Sequence, residues 1–402
     1  MSWEKVKLGD ICESISDGDH LPPPKSVNGI PFVTISNVNS SNQFDFKNTM
    51  FVPQEYYEKL DEKRKPRIND ILYSVVGSFG IPVFIKENRP FVFQRHIAIL
   101  RPNESRIHPR YLYYKMLSKD FYMKADAVAI GAAQRTISLT SLRNMEISIP
   151  CKDSQKRIAD ILSAYDNLIE NNQKQIKLLE EAAQRLYKQW FIDLRYPGHE
   201  TTPIVDGLPK GWMHKHVDDF GIVITGKTPS TSKGDNYGGN IPFVTIPDMH
   251  GNVFPLKTER YLTKKGADSQ KVKYLPKNSV IVSCIATVGL VNIASEECQT
   301  NQQINSVILN DERDLYFFYE SMLQIKSLLD GVGSNGATMT NVNKSKFGNV
   351  KVIYPTINLI EKYYDFCKPI FDKILSLSKS IIQLKDARDR LLSKLMNGKI
   401  EV

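Results

Sequence analysis

IADILSAYDNLIENNQKQIKLLEEAAQRLYKQW, residues 158–190, decides the fold. Within it Ile158, Leu162, Tyr165, Ile169, Asn172, Ile176, Leu179, Ala183, Leu186 and Trp190 recur in alternating steps of 4 and 3. That is the a/d spacing of a coiled-coil seam. No glycine or proline interrupts the run, and Lys, Glu, Gln, Asp, Asn and Arg dominate the rest of its surface. Only one stripe therefore avoids water. A helix of roughly 48 Å, at about 1.5 Å per residue, cannot bury such a stripe on itself. It needs a partner of similar length.

The far end of the same chain supplies one. Ile360, Tyr363, Cys367, Ile370, Ile374, Leu377, Ile381, Leu384, Arg388, Leu391 and Leu395 keep the same rhythm. The spacing predicts two long helices packed on each other, and the globular segment between them lets the pair run antiparallel. The alternative is two amphipathic helices, each docked on its own neighbouring module. Asn172 and Arg388 put polar groups on the seams, where such residues fix register and partner choice, so both are candidate register residues.

Length and composition bound the rest. A chain of 402 residues suits two or three domains. Its 41% apolar and 24% charged residues describe packed globular domains rather than disorder. A net charge of +9 points to a polyanionic partner. The opening MSWEKVKLGD has no apolar leader, and no apolar run approaches a membrane span. A cytoplasmic protein without a membrane partner is expected. Cys12, Cys151, Cys284, Cys298 and Cys367 are scattered and form no CxxC pair. They read as reduced, buried residues rather than a disulfide frame or zinc site.

Residues 1 to about 150 are short β-rich runs broken by turns: Ile30 to Ser36, Ile71 to Val76, Val83 to Ile85, Ile97 to Leu100 and Met145 to Ile149, with a helical interval from Pro109 to Ala127. Residues 212 to about 355 repeat that order. GIPFVTISNV at 29–38 is answered by NIPFVTIPDM at 240–249, and NDILYSVVGSFG at 69–80 by NSVIVSCIATVG at 278–289. QRHIAIL at 94–100 aligns with QINSVIL at 303–309, an offset of 209, and YLYYKMLS at 111–118 with YFFYESML at 316–323. Each half closes on a β-run ending in proline, ISIP at 147–150 and VIYP at 352–355, before its long helix. The chain is thus a tandem duplication. Its expected segments are 1–152 and 212–356 as modules, 153–195 and 357–402 as helices, and a Pro- and Gly-bearing linker at 196–211.

These features resemble the specificity (S) subunits of type I restriction-modification systems. LYKQWFIDLRYPG at 186–198 is the sharpest match, joined by W..VKLGDI at 3–11, the IPFVTI blocks, SQKRIADILSAYDNLIE at 154–170 and IIQLKDARDRLLSKLMNGKI at 381–400. The resemblance implies two target-recognition domains, each reading half of a split double-stranded DNA sequence. It also implies two helical regions that space them and carry two methyltransferase (M) subunits, with restriction (R) subunits recruited later. S-adenosylmethionine, ATP and magnesium would act on those partners, with none bound by this chain. The expected architecture is α+β: two tandem mixed modules and an antiparallel helix pair with approximate two-fold symmetry. DNA faces recur about every 34 to 36 Å, the same scale as the predicted helices. Pro369 departs from the first seam and predicts a kink or a later helix start.

Catalytic motifs do not withstand inspection. GIVITGKT at 221–228 satisfies GxxxxGK[ST], yet Ile222, Val223, Ile224 and Thr225 favour strand and no helix pattern follows. Asp17, Asp19 and His20 read as a solvated turn rather than a metal site. Pro247 and Asp248 lack the later Glu-x-Lys of a nuclease core, and no DPPY- or NPPF-like run indicates a methyltransferase.

DNA reading needs Arg and Lys for guanine, Asn and Gln for adenine. Gln94, Arg95 and His96 face Asn301, Gln302, Gln303 and Asn305 across the repeat. Gln134 and Arg135 face the Asn335, Asn341, Asn343 and Lys344 region. Lys25 and Lys227 lie in early loops, and Lys63, Arg64, Lys65 and Arg67 form a cluster suited to phosphates. Unlike residues in matching loops predict unlike half-sites. The alternative reading is a coiled-coil adaptor that binds proteins or RNA. An ATPase resting on Lys227 is a third.

Overall fold

The computed structural model describes residues 3–20, 22–39, 42–132, 134–232, 234–325 and 341–402. It divides into two compact units, Met1–Ile169 with Leu384–Val402, and Glu170–Gln383. The central helix runs Lys152–Tyr187 and the C-terminal helix Ile357–Met396. Each unit therefore holds one globular segment and a stretch of both helices.

In the first unit the strands are β1 (Glu4–Lys7), β2 (Cys12–Asp17), β3 (Ile30–Val33), β4 (Met50–Val52), β5 (Ile71–Ser74), β6 (Pro82–Phe84), β7 (Val92–Phe93), β8 (Ile97–Pro102) and β9 (Glu146–Ile149). They form a four-stranded sheet β2-β8-β5-β6, a three-stranded sheet β4-β3-β7 and the pair β1-β9. In the second unit, β10 (Ile204–Val205) and β11 (Leu208–Pro209) make a small hairpin within the stretch expected to be a linker. Then come β12 (Met213–His216), β13 (Gly221–Thr225), β14 (Tyr237–Val244), β15 (Arg260–Leu262), β16 (Val280–Ser283), β17 (Val291–Ile293), β18 (Gln299–Thr300), β19 (Ile304–Leu309) and β20 (Lys351–Tyr354). Their sheets, β13-β19-β16-β17, β15-β14-β18 and β12-β20, repeat those of the first unit strand for strand.

Several local expectations need correction. The run Ile30 to Ser36 is strand only to Val33, because Asn37 Oδ1 accepts bonds from the backbone N–H and hydroxyl of Thr34 at 2.9 and 3.1 Å. Such side-chain bonds compete with the ladder. Asp248 does the same to Thr245 at 2.8 and 2.7 Å. The helical interval breaks at Ser118, which is extended and accepts the Phe121 N–H on its hydroxyl. The repeat offset is also wrong for one strand pair. Ile71 pairs with Leu100, whereas Val280 pairs with Val307, so β8 matches β19 at an offset of 207.

The helices pair antiparallel within each unit. In the first, Ser154 bonds the carbonyl of Val402 at 3.1 Å and Asp166 meets Arg388 at 2.7 Å. In the second, Asn172 meets Ser380 at 3.3 Å, and Tyr363 donates to the carbonyl of Ala183 at 3.4 Å. Both sequence expectations for the seam hold together, because the helix ends also enter module cores. Ile158, Ala159 and Leu162 with Leu395 and Met396 join the core around Tyr73, Tyr111 and Phe121. Ala183, Tyr187, Trp190 and Phe191 with Tyr363, Cys367, Phe371 and Ile374 join the core around Phe317 and Phe318.

A π-helical turn, Lys188–Ile192, ends the central helix. Its i→i+5 bonding, from the Asp193 N–H to the Lys188 carbonyl, adds a residue to the turn, and the successive residues Trp190 and Phe191 are both buried. The C-terminal helix continues through Pro369 and starts no later for it. Pro369 cannot donate to the Asp365 carbonyl, but Asp365, Phe366, Lys368 and Pro369 are exposed and water can serve that group. Of the cysteines, Cys284, Cys298 and Cys367 are buried as expected, whereas Cys12 is partly exposed and Cys151 fully so. Cys151 stands just ahead of the central helix, where the chain leaves the core.

Candidate nucleic-acid interface

The open end of each four-stranded sheet is built by the same backbone bonds. After β2, the N–H groups of Gly18 and Asp19 donate to the carbonyls of Ile97 and Phe93 at 3.1 and 3.0 Å. After β13, those of Gly226 and Lys227 donate to Ile304 and Thr300 at 3.0 Å each. Only glycine fits this turn: a Cβ on Gly18 would lie 2.2 Å from the Phe93 oxygen, and one on Gly226 2.2 Å from the Asn301 oxygen. Next, Val75 N–H bonds the His96 carbonyl and Cys284 N–H the Gln303 carbonyl, both at 2.9 Å. Finally, Ile137 N–H reaches the Val75 carbonyl at 2.9 Å, and Val342 N–H that of Cys284 at 2.8 Å. Three loops thus meet at one sheet end in each unit.

This register pairs Asp17 with Thr225, Asp19 with Lys227, Gln94 with Asn301, Arg95 with Gln302, His96 with Gln303, and Ala98 with Asn305. It places Lys227 opposite Asp19 rather than Lys25, which lies exposed beside Ser26 on the edge of the three-stranded sheet. The bridges Val76 to Thr136 and Ile285 to Asn341 make Asn341 the counterpart of Thr136. The matches to Gln134 and Arg135, and Asn335 itself, lie outside the described residues.

The first loop end is charged. His20 Nε2 meets Asp17 Oδ2 at 2.6 Å, and the Arg64 guanidinium lies 3.9 Å from both Asp17 and Asp19. The Asp19 side chain is only 7% exposed, so the solvated turn expected here is half-buried and holds Arg64. Arg95 and Gln134 are exposed, while Gln94 and His96 are partly so. Arg135 is committed elsewhere, 2.8 Å from Asp126.

The basic cluster is less available than its sequence implies. Lys65 bonds Glu62 at 2.7 Å and the Glu58 carbonyl at 3.1 Å, and Arg67 also meets Glu62 at 3.0 Å. Bonds to Lys65 and Arg67 hold the Glu62 carboxyl below its ordinary range. Arg101 anchors this loop: its guanidinium bonds Asp70 at 3.0 and 3.1 Å and the Lys65 carbonyl at 3.0 Å. Burial pushes the Asp70 carboxyl up, and Arg101 opposes that shift.

Among the described residues the second loop end carries exposed Lys227 and Lys344 and is otherwise built of amides and hydroxyls. Thr228 Oγ1 donates to Gln302 Oε1 at 2.6 Å. Asn301 bonds Gln303 twice, accepting its N–H and donating to its Oε1, both at 3.0 Å. Asn305 is withdrawn from the candidate set. It is 2% exposed, accepts from Thr225 at 2.6 Å and donates to the Val342 carbonyl at 3.1 Å. Asn343 is likewise structural, its side chain accepting the Lys346 N–H as a helix cap. Lys344 beside it is exposed.

GIVITGKT is strand from Gly221 to Thr225, as its residue types required. The Lys227 amide is engaged by Thr300, and its carbonyl accepts Gln270 Nε2 at 2.7 Å. No phosphate cradle is free there. Among the described residues no cluster of three His, Cys, Asp or Glu could hold a metal, and no helix is long and apolar enough to cross a membrane. Thr228 and Gln270, which shape the second loop end, carried no sequence signal, because their partners Gln302 and Gln299 lie elsewhere in the chain.

Residues 1–181 and 209–386 match the type I restriction modification DNA specificity domain. The chain belongs to that family. It is 30% identical to the type I restriction enzyme HindI specificity subunit of Haemophilus influenzae, across 99% of each chain. A putative type I restriction enzyme MjaX specificity subunit of Methanocaldococcus jannaschii is 27% identical over 100% of this chain and 94% of its own. The crystal structure of a type I restriction-modification S subunit from M. genitalium shares the fold, with TM-score 0.62 and 16% identity over 98% of this chain and 96% of that one. The protein is accordingly a DNA specificity subunit, and the adaptor alternative is not favoured.

Proposed function

We propose that this specificity subunit recognises a bipartite, asymmetric double-stranded DNA target. Each module reads one half-site through the loops at the open end of its four-stranded sheet. One observation carries the proposal: the same backbone frame, closed by Gly18 and Gly226, presents different polar side chains in the two modules. A shared frame gives a shared way of docking, and unlike side chains give unlike base preferences.

The exposed or partly exposed candidates are Lys25, Arg64, Arg67, Gln94, Arg95, His96 and Gln134 in the first module. In the second they are Lys227, Gln302, Gln303 and Lys344. Residues 1–152 and 212–356 are the readers, 153–195 and 357–402 the helical spacers, and 196–211 the connector. Two methyltransferase subunits dock along the helices and restriction subunits join the assembly, which works in the cytoplasm. Methylation and cleavage belong to those partners, with their S-adenosylmethionine, ATP and magnesium. Asn172 and Arg388 set the register of the helix pair.

Co-expression with the methyltransferase, followed by gel shift on methylated and unmethylated duplexes, tests this reading. The expected complex methylates a split site, and its affinity falls steeply with salt through counterion release. An unsplit site, or preference for RNA over duplex DNA, would contradict it.

A further inference from the structure

We infer that the second module reads guanine, because Gln303 is held with its carbonyl turned to Asn301 and its amino group left to donate. The inference rests on the loop ends facing DNA.

The Gln303 backbone N–H can only donate, so the Asn301 atom facing it at 3.0 Å is the carbonyl Oδ1. The other end of Asn301 is therefore its amino group, which can only donate. The Gln303 atom it meets, also at 3.0 Å, is then the carbonyl Oε1. Gln303 Nε2 is left at the far end of the amide, away from Asn301. Neighbouring Gln302 has its carbonyl occupied by the Thr228 hydroxyl at 2.6 Å, and Lys227 is exposed beside this pair. Lys227, Gln302 and Gln303 thus offer hydrogen-bond donors.

A glutamine reading adenine needs its carbonyl for the N6 amino group and its amino group for N7. Here each carbonyl already accepts one bond, that of Gln303 from Asn301 and that of Gln302 from Thr228. Guanine presents two acceptors, O6 and N7, in the major groove, which suits amino groups left to donate. The first module differs at the same places, with Asp19, Arg95 and His96 for Lys227, Gln302 and Gln303. Asn301, 9% exposed, is a positioning residue: it acts by orienting Gln303.

The test uses the whole complex with its methyltransferase on a plasmid library randomised in both half-sites. The expected second half-site contains guanine. Asn301→Asp keeps the acceptor for the Gln303 N–H but repels the Gln303 carbonyl, so the amide turns over. Preference at one base should then move from guanine towards adenine or cytosine, whose edges carry an amino donor. Gln303→Glu should lower methylation of the native site at least tenfold at that base, and Gln303→Lys, still donor-only, should retain guanine. A loss of folding would remove methylation of every sequence equally, whereas these changes concern one base.

A second half-site without guanine, or unchanged preference in both Asn301→Asp and Gln303→Glu, overturns the inference. The underlying reading fails separately, if neither half-site follows the module that is supposed to read it.

Discussion

The two modules share a frame and differ in how they stabilise and charge it. In the first, Asp70 and Arg101 form a buried ion pair at the far end of the four-stranded sheet, their side chains 3% and 11% exposed. In the second, the register puts Ser279 and Ile308 there, and Ser279 simply bonds the Pro276 carbonyl at 2.7 Å. The first loop end carries carboxylates, guanidinium and imidazole. Among its described residues the second carries amides, hydroxyls and the lysines Lys227 and Lys344. Duplicated backbone geometry evidently tolerates unlike chemistry, because strand pairing and the Gly18 and Gly226 turns hold it. The side chains at the open end are then free to diverge.

The largest expected effect on this contrast is in stability. Arg101→Ala leaves Asp70 buried and unpaired, which should cost roughly 3–5 kcal/mol. Hydrogen exchange should show that loss in residues 1–169, with the second module's sheet amides unchanged. Equal loosening of both sheets would mean that they are not independently held.

The second unit has its own signature in Glu320, 2% exposed in the core beside the helix pair. Burial first, and Glu180 second, push its carboxyl up to about 8. An acid with a raised folded pKa takes up a proton on folding. Its stability contribution is therefore greatest below the ordinary value of 4.5 and is lost as pH rises from there to about 8. Glu320→Gln should flatten that fall in denaturant titrations between pH 5 and 8 and raise stability at the upper end. An unchanged slope would break the assignment.

Smaller still is the half-buried pair of Asp166 with Arg388. Replacing Arg388 by Met should change unfolding free energy by about 1 kcal/mol or less, since partial exposure screens the pair. Its value as a register device would show instead as altered helix pairing by cysteine crosslinking.

Least disruptive to the fold are the lysines. Lys227→Ala should weaken binding of the native site, relax the guanine preference of the second half-site and reduce the salt slope by about 1. Lys65→Ala should leave the slope unchanged, because Glu62 and the Glu58 carbonyl already hold that ammonium.

Much of the architecture was legible because its signals are local or periodic. The 4 and 3 spacing revealed both long helices, and the paired IPFVTI blocks revealed the duplication. The offset for β19 went wrong by two residues for a physical reason. Strand side chains alternate with period two, so a slip of two keeps every apolar residue on its proper face. Only the ladder, with Val280 opposite Val307, separates the alternatives.

The candidate site was less legible for another reason. Whether a loop amide is free depends on residues far away in the chain: Thr225 consumes Asn305, and Asp126 consumes Arg135. Composition located the loops, but not which side chains remained available.

Exchange of residues 1–152 for the corresponding module of another specificity subunit, followed by base-resolution mapping of methylation, is the most direct measurement. One half-site should change identity while the other keeps its sequence. A target altered in both halves, or in neither, would contradict the assignment of one reader to each half.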